Sequence, residues 1–334
     1  MTEGPTKAPA RHAIYLEFHG VCIEFRADET ELLDVLELRF QHFLVGNPKP
    51  HHIRFDFTSV ASAGHHVLAR PSGMARPVYE PPEGEVVYSD DGDWLFITTG
   101  ERVRVLAEIG RGEVRVSFVA SGAAMWLVSH PIVTICLIEL LKRRGLFNVH
   151  AAGLSSGGRS VLIPGPSGVG KSTISFAMIR AGFDFIADDM VFLHKTKEGM
   201  AVLAFPDTLD FNDSTALMFS ELEGVAAAPK RSGWPKWQID VARLTRSPVA
   251  WRTTPVVLVF PTFSDRSRSE LVPIGRDDAL TALLPNVLLT EARSSQAHLD
   301  ALGELVAGAG CFRLEMARDF PHIADLLRSS LLSR

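Results

Sequence analysis

A stretch of nine residues at 165–173, GPSGVGKST, combines glycines, a lysine and hydroxyl side chains in a spacing that could bind phosphate. The pattern G-x-x-x-x-G-K-[ST] of a phosphate-binding P-loop, also called Walker A, is met at Gly165, Gly170, Lys171 and Ser172. In this pattern successive backbone N–H groups turn inward around phosphate oxygens, the lysine reaches the terminal phosphates and the hydroxyl binds Mg²⁺. The stretch therefore predicts a nucleoside triphosphate site. Its predicted cofactor-binding residues are Gly165, Pro166, Ser167, Gly168, Val169, Gly170, Lys171, Ser172 and Thr173.

The neighbouring residues place this loop between a strand and a helix. An apolar run at 161–163 precedes it and predicts a buried strand. Ile174, Ala177 and Met178 follow at helical spacing, and Gly182 is typical of the end of a helix. A strand, a loop and a helix in this order is the context that a phosphate-binding loop requires. The alternative is a flexible turn before an ordinary helix.

Two adjacent carboxylates, Asp188 and Asp189, come at the end of another apolar run at 183–187. Open α/β sheets place ligands at the carboxyl ends of their strands, so the pair is expected near the phosphates. One carboxylate is expected to bind Mg²⁺ and the other to accept the proton of an attacking hydroxyl group. Because neighbours on a strand point to opposite sides, the residues alone leave open which carboxylate does which. The alternative is that the pair caps a following turn.

Two other groups of polar residues are weaker candidates. His150, on a short apolar strand just before the loop, is either a core histidine or a functional group whose titration a carboxylate shifts. The segment FPDTLDFND, with Asp207, Asp210 and Asp213, either holds a second metal ligand or is an ordinary acidic loop.

The segment PKRSGWPKW contains the cations Lys230, Arg231 and Lys236. It predicts either a loop that closes over the triphosphate and stabilises charge on the transferred phosphoryl group, or a solvated surface loop. Trp234 and Trp237 in the same segment either stack on a nucleobase or anchor the loop. The roles of these residues stay open at this stage.

The composition is that of a globular protein, with 46% apolar and 22% charged residues among 334. A formal charge of −5 gives no basic excess, which argues against nucleic acid as a partner. The polar start of the chain predicts no secretory signal, and the apolar run at 132–141 is expected to be a buried helix, too short to span a membrane. Cys22, Cys136 and Cys311 lack the spacing of a disulfide framework or a zinc site. We therefore expect a cytoplasmic protein with no membrane partner.

The order of predicted elements indicates two domains, a strand-rich one at 1–122 and an α/β one at 123–334. A helix is expected to begin at Ser129-His130-Pro131 and to end before Gly145. In the first domain the patterns predict strands at 14–18, 21–25, 53–57, 86–88, 94–98, 103–109 and 114–119, a helix at 31–43 and a loop at 71–85. In the second they predict strands at 149–154, 160–163, 183–187 and 312–316, and helices at 277–284, 297–306 and 323–332.

The segments NVHAAGL, PGPSGVGKST and GFDFIADDMVFL together resemble the catalytic core of the HPr kinase/phosphorylase family over residues 147–194. The resemblance is looser through PKWQIDVARL at 235–244 and PVVLVF at 255–260. It implies a P-loop kinase core similar to the nucleotide domain of phosphoenolpyruvate carboxykinase, with a β-rich N-terminal domain attached. It also implies a transferase that uses ATP and Mg²⁺ to phosphorylate a hydroxyl group.

Carried over by position, the resemblance implies roles for individual residues. Lys171 and Ser172 would hold phosphate and metal. Asp189 would be the general base, Asp188 a metal-binding or orienting carboxylate, and His150 a neighbour that tunes the base. The predicted catalytic residues are Asp189, Asp188, His150 and Lys171, and the predicted metal ligands are Ser172 and Asp188.

The chain departs from the family pattern outside this core. The internal GRN segment of the family, its downstream glutamate and its usual amino-terminal domain are not recognisable, so neither HPr as the substrate nor reverse phosphorolysis is implied. A similar kinase core occurs in bacterial biosynthetic clusters, where relatives modify peptides. We therefore expect the acceptor to be serine of a peptide or protein. A sugar or nucleoside kinase of the same fold and a non-catalytic nucleotide-sensing module are the alternatives, and a homo-oligomer is compatible with the sequence.

Overall fold

The computed structural model describes residues 12–46, 50–79, 84–226, 230, 236–241 and 248–333. The chain divides into two compact units, Met1–Leu140 and Leu141–Arg334. The boundary expected after residue 122 precedes the long apolar helix, whereas the division of the structure lies near the end of that helix. Each unit has its own large sheet, and the fold is mixed α/β.

The first unit consists mainly of strands. Its elements are β1 (His12–Phe18), β2 (Val21–Ala27), α1 (Thr30–Arg39), β3 (Ile53–Val60), β4 (Ala75–Tyr79), β5 (Gly84–Ser89), β6 (Trp94–Thr99), β7 (Val103–Glu108) and β8 (Glu113–Val119). In the described residues the strands form one sheet in the order β1-β2-β3-β8-β7-β6-β5-β4. The central pairs β2/β3 and β3/β8 are parallel, and the outer pairs are antiparallel. The seven strands predicted for this domain are confirmed, whereas the predicted helix ends earlier, at Arg39.

Aromatic residues fill the core on one face of this sheet. Phe25, Phe55 and Phe57 alternate with outward-facing residues and are fully buried, with ring centroids at most 5.9 Å apart. Helix α1 contacts β1 and β2 and buries Leu32 and Leu36, which are four residues apart and so share one face. The hydrophobic effect therefore fixes the helix on the sheet.

The prediction of a loop at 71–85 is wrong, because strand β4 lies within it. Strand β4 is at the edge of the sheet and pairs only with β5 among the described strands. Pro77 can lie there because an edge strand leaves one side of its backbone without sheet partners, and the register shifts between Pro77 and Tyr79. Proline and glycine content indicated a loop, but an edge strand tolerates the same residues.

The helix predicted to begin at Ser129-His130-Pro131 begins earlier. It runs as α2 (Gly122–Leu127), a π turn at Val128–Ile132 and α3 (Val133–Lys142). The side chain of Ser121 caps the start by accepting a hydrogen bond from the backbone N–H of Ala124 at 3.2 Å. Pro131 has no N–H to donate, and the helix accommodates it in the wider π turn instead of ending there.

The segment Gly122–Lys142 is 21 residues long with a mean hydropathy of 1.8, so by length and composition it could cross a membrane. The prediction that this apolar run is too short to span a membrane is therefore wrong. Within the protein 67% of its most apolar window is buried, as in a core helix. Leu137, Leu140 and Leu141 on α3 are buried almost completely.

The second unit alternates strands and helices. Its strands are β9 (Leu146–Val149), β10 (Ala151–Ser156), β11 (Arg159–Pro164), β12 (Asp184–Ala187), β13 (Val191–Thr196), β14 (Gly199–Leu203), β15 (Leu209–Phe211), β16 (Trp237–Ile239), β17 (Arg252–Phe263), β18 (Glu270–Pro273) and β19 (Gly310–Met316). Its helices are α4 (Lys171–Arg180), α5 (Asp213–Ala216), α6 (Ser220–Ala226), α7 (Arg276–Leu283), α8 (Ala292–Gly308) and α9 (Phe320–Leu332). Strands β15 and β16 form a separate pair, and the other described strands share one sheet.

The directions of five strands bring the predicted site together. Strand β10 is antiparallel to both β11 and β12, so those two are parallel to each other. Strand β17 is parallel to β11, and β19 is parallel to β17. Strands β11, β12, β17 and β19 therefore end at one edge, where β10 begins. We call this edge, at Pro164, Ala187, Phe263, Met316 and Ala151, the site edge.

Helices cover both faces of this sheet. Alternate residues of β11 face opposite sides: Val161 and Ile163 pack in one core with α4 and α9, whereas Leu162 packs in another with α7 and α8. Strand β11, which leads into the loop, is thus packed between two helical layers. The site edge is therefore built on rigid elements.

Candidate functional site

The nine-residue loop joins the end of β11 to the start of α4. Gly168 has a φ of 89° and Gly170 a φ of 98°, both in the left-handed region that glycine adopts readily. Gly170 directly precedes Lys171, the first residue of α4. The backbone N–H groups at the start of a helix lack intrahelical partners and attract anions. The loop therefore joins a strand to a helix, with two glycines in left-handed conformations.

Lys171 is buried beneath the loop rather than extended into water. Its Nζ donates to the carbonyl oxygens of Gly165 at 2.8 Å and Pro166 at 3.2 Å, and lies 2.9 Å from His150 Nε2. Burial lowers the pKa of Lys171, and the nearby carboxylate of Asp189 partly offsets this effect. The ammonium group is therefore held at the base of the loop.

Asp188 is buried beside the loop, with 3% of its surface exposed. Its Oδ2 accepts hydrogen bonds from Ser172 Oγ at 2.8 Å and from the backbone N–H of Asp210 at 3.4 Å. Its Oδ1 has no hydrogen-bond partner among the described residues. Burial raises the pKa of Asp188 to about 7, although the hydrogen bond from Ser172 opposes the shift. The result is a carboxylate with one oxygen unsatisfied.

Asp189 points the other way and is solvent-accessible, with 69% of its side chain exposed. Its Oδ1 lies 3.4 Å from His150 Nε2. The two neighbouring carboxylates thus occupy different environments, as expected of adjacent residues at a strand end. Asp188 faces the helix that follows the loop, and Asp189 lines the adjoining cavity.

His150 lies at a break between two strands. The strand predicted at 149–154 is divided there, because β9 pairs with β13 while β10 pairs with β11 and β12. The backbone N–H of His150 donates to the carbonyl of Asn286 at 2.7 Å. Burial lowers the pKa of His150, whereas Asp189 acts to raise it. The imidazole is placed between the cation of Lys171 and the carboxylate of Asp189.

A cavity of about 190 Å³ opens at the site edge. Its lining combines residues of the loop with residues from other strand ends. They are Ser167, Gly168, Gly170, Lys171, Ser172, Thr173, Asp189, Asp210, Phe211, Asn212, Ser214, Thr215, Met218, Lys236, Phe263, Met316, Arg318 and Phe320.

The described residues contain no group of three or more His, Cys, Asp or Glu side chains that could hold a metal ion by itself. Mg²⁺ does not require such a group, because it is usually bound by one or two carboxylates together with substrate phosphates and water. The unsatisfied Oδ1 of Asp188 and the hydroxyl of Ser172 match that donor set. The two predicted metal ligands therefore fit Mg²⁺.

The chain is similar to the HPr kinase/phosphorylases of Bordetella pertussis, Bordetella parapertussis and Bordetella bronchiseptica. Each is 38% identical over 80 residues, which cover 22% of this chain and 26% of the relative. The chain thus spans about a quarter of the length of these curated relatives. A solved structure of the Hpr(Ser) kinase/phosphatase from Coxiella burnetii is similar with a TM-score of 0.34 and 15% identity, covering 56% of this chain and 97% of that chain.

No protein-family model matches the chain. The sequence similarity to HPr kinase/phosphorylases supports a relationship to that family over a limited part of the chain. The resemblance inferred from the sequence motifs and this similarity point to the same family.

Of the weaker candidates, Asp210 and Lys236 line the cavity. Asp210 lies on β15 rather than in a loop, and its carboxylate accepts a hydrogen bond from Gln238 Nε2 at 3.1 Å. Burial raises the pKa of Asp210 to about 6. Asp207 and Asp213 are not among the described lining residues.

The other residues of the basic segment have different environments. The Nζ of Lys230 lies 4.1 Å from the ring centroid of Trp237, and that ring stacks on Phe211 at 5.9 Å. These contacts support the interpretation of Trp237 as an anchor. Arg231 and Trp234 lie outside the described residues.

The sequence analysis missed the lining residues at the ends of β17 and β19. Phe263 ends β17, and Arg318 follows β19 by two positions. No local motif contains them, because they meet the loop only through the order of the strands. The available signal for these residues was a pair of apolar runs in the second domain. If each run is interpreted as a strand that ends near the loop, the residues at its end are expected in the site.

Proposed function

We propose that this protein is an ATP-dependent phosphotransferase that moves the γ-phosphoryl group of ATP to a hydroxyl group, on serine of a peptide or protein. The observation that carries the proposal is that Lys171 and Ser172 of the loop line one cavity with the exposed carboxylate of Asp189. Beside that cavity, the buried carboxylate of Asp188 accepts a hydrogen bond from Ser172. The similarity to HPr kinase/phosphorylases supports a kinase-type reaction.

The loop would bind the triphosphate through backbone N–H groups and the ammonium of Lys171. In the structure Lys171 Nζ is hydrogen-bonded to the carbonyls of Gly165 and Pro166 at the base of the loop. Its charge would stabilise the negative oxygens of the transferred group, since little covalent chemistry is left for the protein in phosphoryl transfer.

Ser172 and Asp188 would hold Mg²⁺, and the ion would supply positive charge that stabilises the phosphate groups. The burial of Asp188 leaves its carboxylate destabilised without a cation, and a divalent ion would relieve that cost. The hydrogen bond from Ser172 keeps the second donor of this site beside the carboxylate.

Asp189 would act as the general base. Its exposed carboxylate accepts the proton of the acceptor hydroxyl, the acceptor oxygen forms a bond to the γ-phosphorus, and the bond to the bridging oxygen of ADP breaks. His150, 3.4 Å from this carboxylate, would orient it. Burial lowers the pKa of His150, which favours the neutral form of its imidazole.

The preference for a peptide or protein acceptor is supported by the similarity to HPr kinase/phosphorylases, which are kinases for HPr. The exposure of Asp189 is compatible with an acceptor that stays largely outside the cavity. The resemblance of the kinase core to peptide-modifying relatives favours the same class of acceptor.

The test uses three single variants of the full chain. Lys171→Ala is expected to abolish Mg²⁺-dependent ATP binding in calorimetric titrations. Asp189→Asn is expected to bind ATP normally but to lose at least ~10²-fold in transfer of label from γ-labelled ATP to acceptors in a cell extract. Asp184→Asn, at the opposite end of β12, is the matched control and should retain both properties.

Three outcomes would contradict the proposal or one of its assignments. Unchanged ATP affinity in Lys171→Ala would show that the loop does not bind the triphosphate. ATP binding by the wild-type chain without any transfer to an acceptor would favour a nucleotide sensor. Full turnover in Asp189→Asn would move the base to another residue, with Asp188 the first to examine.

A further inference from the structure

We propose that Phe263, Met316, Arg318 and Phe320 form a shelf that binds the nucleoside end of the nucleotide, with the base stacked on the ring of Phe263. We call these four residues the base shelf. All four line the same cavity as the phosphate loop. The proposal rests on the proposed function and adds to it the direction in which the nucleotide lies.

The strand order sets that direction. In the sheet, β11 has β10 and β12 on one side and β17 and β19 on the other. Asp188 and Asp189 follow β12, and His150 precedes β10, so the groups suited to the transferred phosphoryl group lie on the first side. The rest of the nucleotide must leave the loop on the second side, toward the ends of β17 and β19.

The distances suit a nucleoside. Neighbouring strands are about 4.8 Å apart, so β17 and β19 lie roughly 5 and 10 Å from β11 across the sheet. A methyl group built on Gly170 would lie 3.3 Å from Met316 Cε and 3.7 Å from Phe263 Cζ. The base shelf therefore begins at the phosphate loop itself, without an intervening gap.

Phe263 is exposed over 59% of its surface although it is a large apolar residue on a packed sheet. Beside it in the cavity lie Met316 and Phe320, which supply further apolar surface. A flat aromatic ring next to a phosphate site is suited to a nucleobase, because every base has a π face that stacks on it. The occupant that fits both the exposed ring and the neighbouring phosphate site is the nucleotide that the loop would hold.

Arg318 independently indicates that a ligand binds at the base shelf. Its φ of 65° is in the left-handed region, which is uncommon for a long side chain and costs roughly 1 kcal/mol. Its guanidinium lies 5.9 Å from the centroid of Phe263, and no carboxylate partner for it is found in the described part of the chain. Strained backbone at a ligand cavity is typical of a functional residue. A planar cation beside the ring can stack on a base or contact the α-phosphate.

The experiment compares ATP with tripolyphosphate, which carries the phosphates but no nucleoside. Titrations with Mg²⁺ are made on the full chain, and the wild-type protein is expected to bind ATP more tightly than tripolyphosphate. Phe263→Leu, which stays apolar but loses the aromatic plane, is expected to weaken ATP binding about 5- to 100-fold and to leave tripolyphosphate binding unchanged. Phe263→Tyr keeps the aromatic plane and should bind ATP with wild-type affinity. Arg318→Ala, like Phe263→Leu, is expected to weaken ATP binding.

Matched controls lie at the other end of β17. Trp251, 42% exposed, and Arg252 precede or begin that strand, so Trp251→Ala and Arg252→Ala should not change either affinity. Unfolding midpoints of all variants check that the fold is intact.

Unchanged ATP affinity in Phe263→Leu would overturn the proposal that the base shelf binds the nucleoside. Equal weakening of ATP and tripolyphosphate would also overturn it, because Phe263 would then support the loop rather than the base. Failure of the wild-type chain to bind either compound would overturn the proposed function, and the base shelf with it.

Discussion

At the scale of single residues, the site depends on the different surroundings of two neighbouring carboxylates. Asp188 is buried against Ser172 with one oxygen unsatisfied, whereas Asp189 is exposed beside His150. Identical side chains can therefore take different roles, one as a metal ligand and the other as a base. The sequence left this assignment open, because strand alternation predicts that the two side chains differ but not which one is buried.

Backbone conformation at two glycines of the loop can be tested directly. Gly168 has a φ of 89° and open space around it, whereas a methyl group on Gly170 would lie 3.3 Å from Met316 Cε. Gly168→Ala should cost about 1 kcal/mol of unfolding free energy from backbone strain alone, and Gly170→Ala should cost more because it adds a close contact. Urea-induced unfolding measures both.

The matched control is Gly224→Ala in α6, where no atom lies within 4 Å of the added methyl group. This substitution should be neutral or stabilise by up to about 1 kcal/mol, because alanine has the higher helix propensity. A neutral Gly168→Ala would show that the loop backbone relaxes without cost.

The loop and the acidic pair could be predicted from sequence because each is a short contiguous motif. Phe263 and Arg318 could not, since they belong to separate strand ends that meet the loop only through the sheet order. Asp210 was recognised as a candidate, but its strand was not, because β15 is only three residues long and pairs with β16. Long-range pairing of short strands leaves little local signal.

At the scale of elements, helix α8 positions the strand that leads into His150. His298 on α8 is fully buried, donates from Nε2 to the carbonyl of Asn148 at 2.8 Å and stacks on Phe147 at 5.2 Å between ring centroids. Both partners belong to β9, which ends one residue before His150. The helix thus fixes the strand break at which the candidate site begins.

This contact makes the stability of the second unit depend on pH. Burial lowers the pKa of His298 to about 4, and nearby Lys142 acts in the same direction. The unfolded chain binds the proton near pH 6.5, so this contribution to stability is complete above that pH and is lost as the pH falls toward 4. Between pH 6.5 and 5 the wild-type protein should lose about 2 kcal/mol through this group, at about 1.36 kcal/mol per pH unit.

His298→Gln keeps a donor for Asn148 but does not titrate, so its unfolding free energy should vary less between pH 7 and 5 than that of the wild type. Chemical denaturation at the two pH values measures the difference. His322→Gln, at a surface hydrogen bond with Arg268, is the control and should follow the wild-type profile. The same profile in all three proteins would show that His298 is not the titrating group.

Most of the elements followed from periodicity, and the errors have physical causes. The loop predicted at 71–85 contains an edge strand, because an edge tolerates Pro77. The helix predicted to begin near Pro131 starts at Gly122, because a π turn accommodates the proline. In both places a residue that usually ends an element was tolerated by a local irregularity.

At the scale of the whole molecule, two units divide the chain, and the described lining of the cavity belongs to the second unit alone. The four strands that end at the site edge bring together residues that are far apart in the sequence, from Pro164 to Arg318. The site therefore exists only when that entire sheet is formed. Nucleotide binding should therefore report on the folding of the second unit as a whole rather than on the loop alone.

This dependence predicts where a bound nucleotide stabilises the protein. At a concentration of ATP and Mg²⁺ one hundred times the dissociation constant, binding to the folded state alone adds about 2.7 kcal/mol. Hydrogen exchange should then slow in the loop, in β12 and at the ends of β17 and β19, while the eight-stranded sheet of the first unit exchanges as before. Lys171→Ala should show no protection at the same concentration. Protection that spreads equally through both units in the wild type would contradict the assignment of the nucleotide site to the second unit alone.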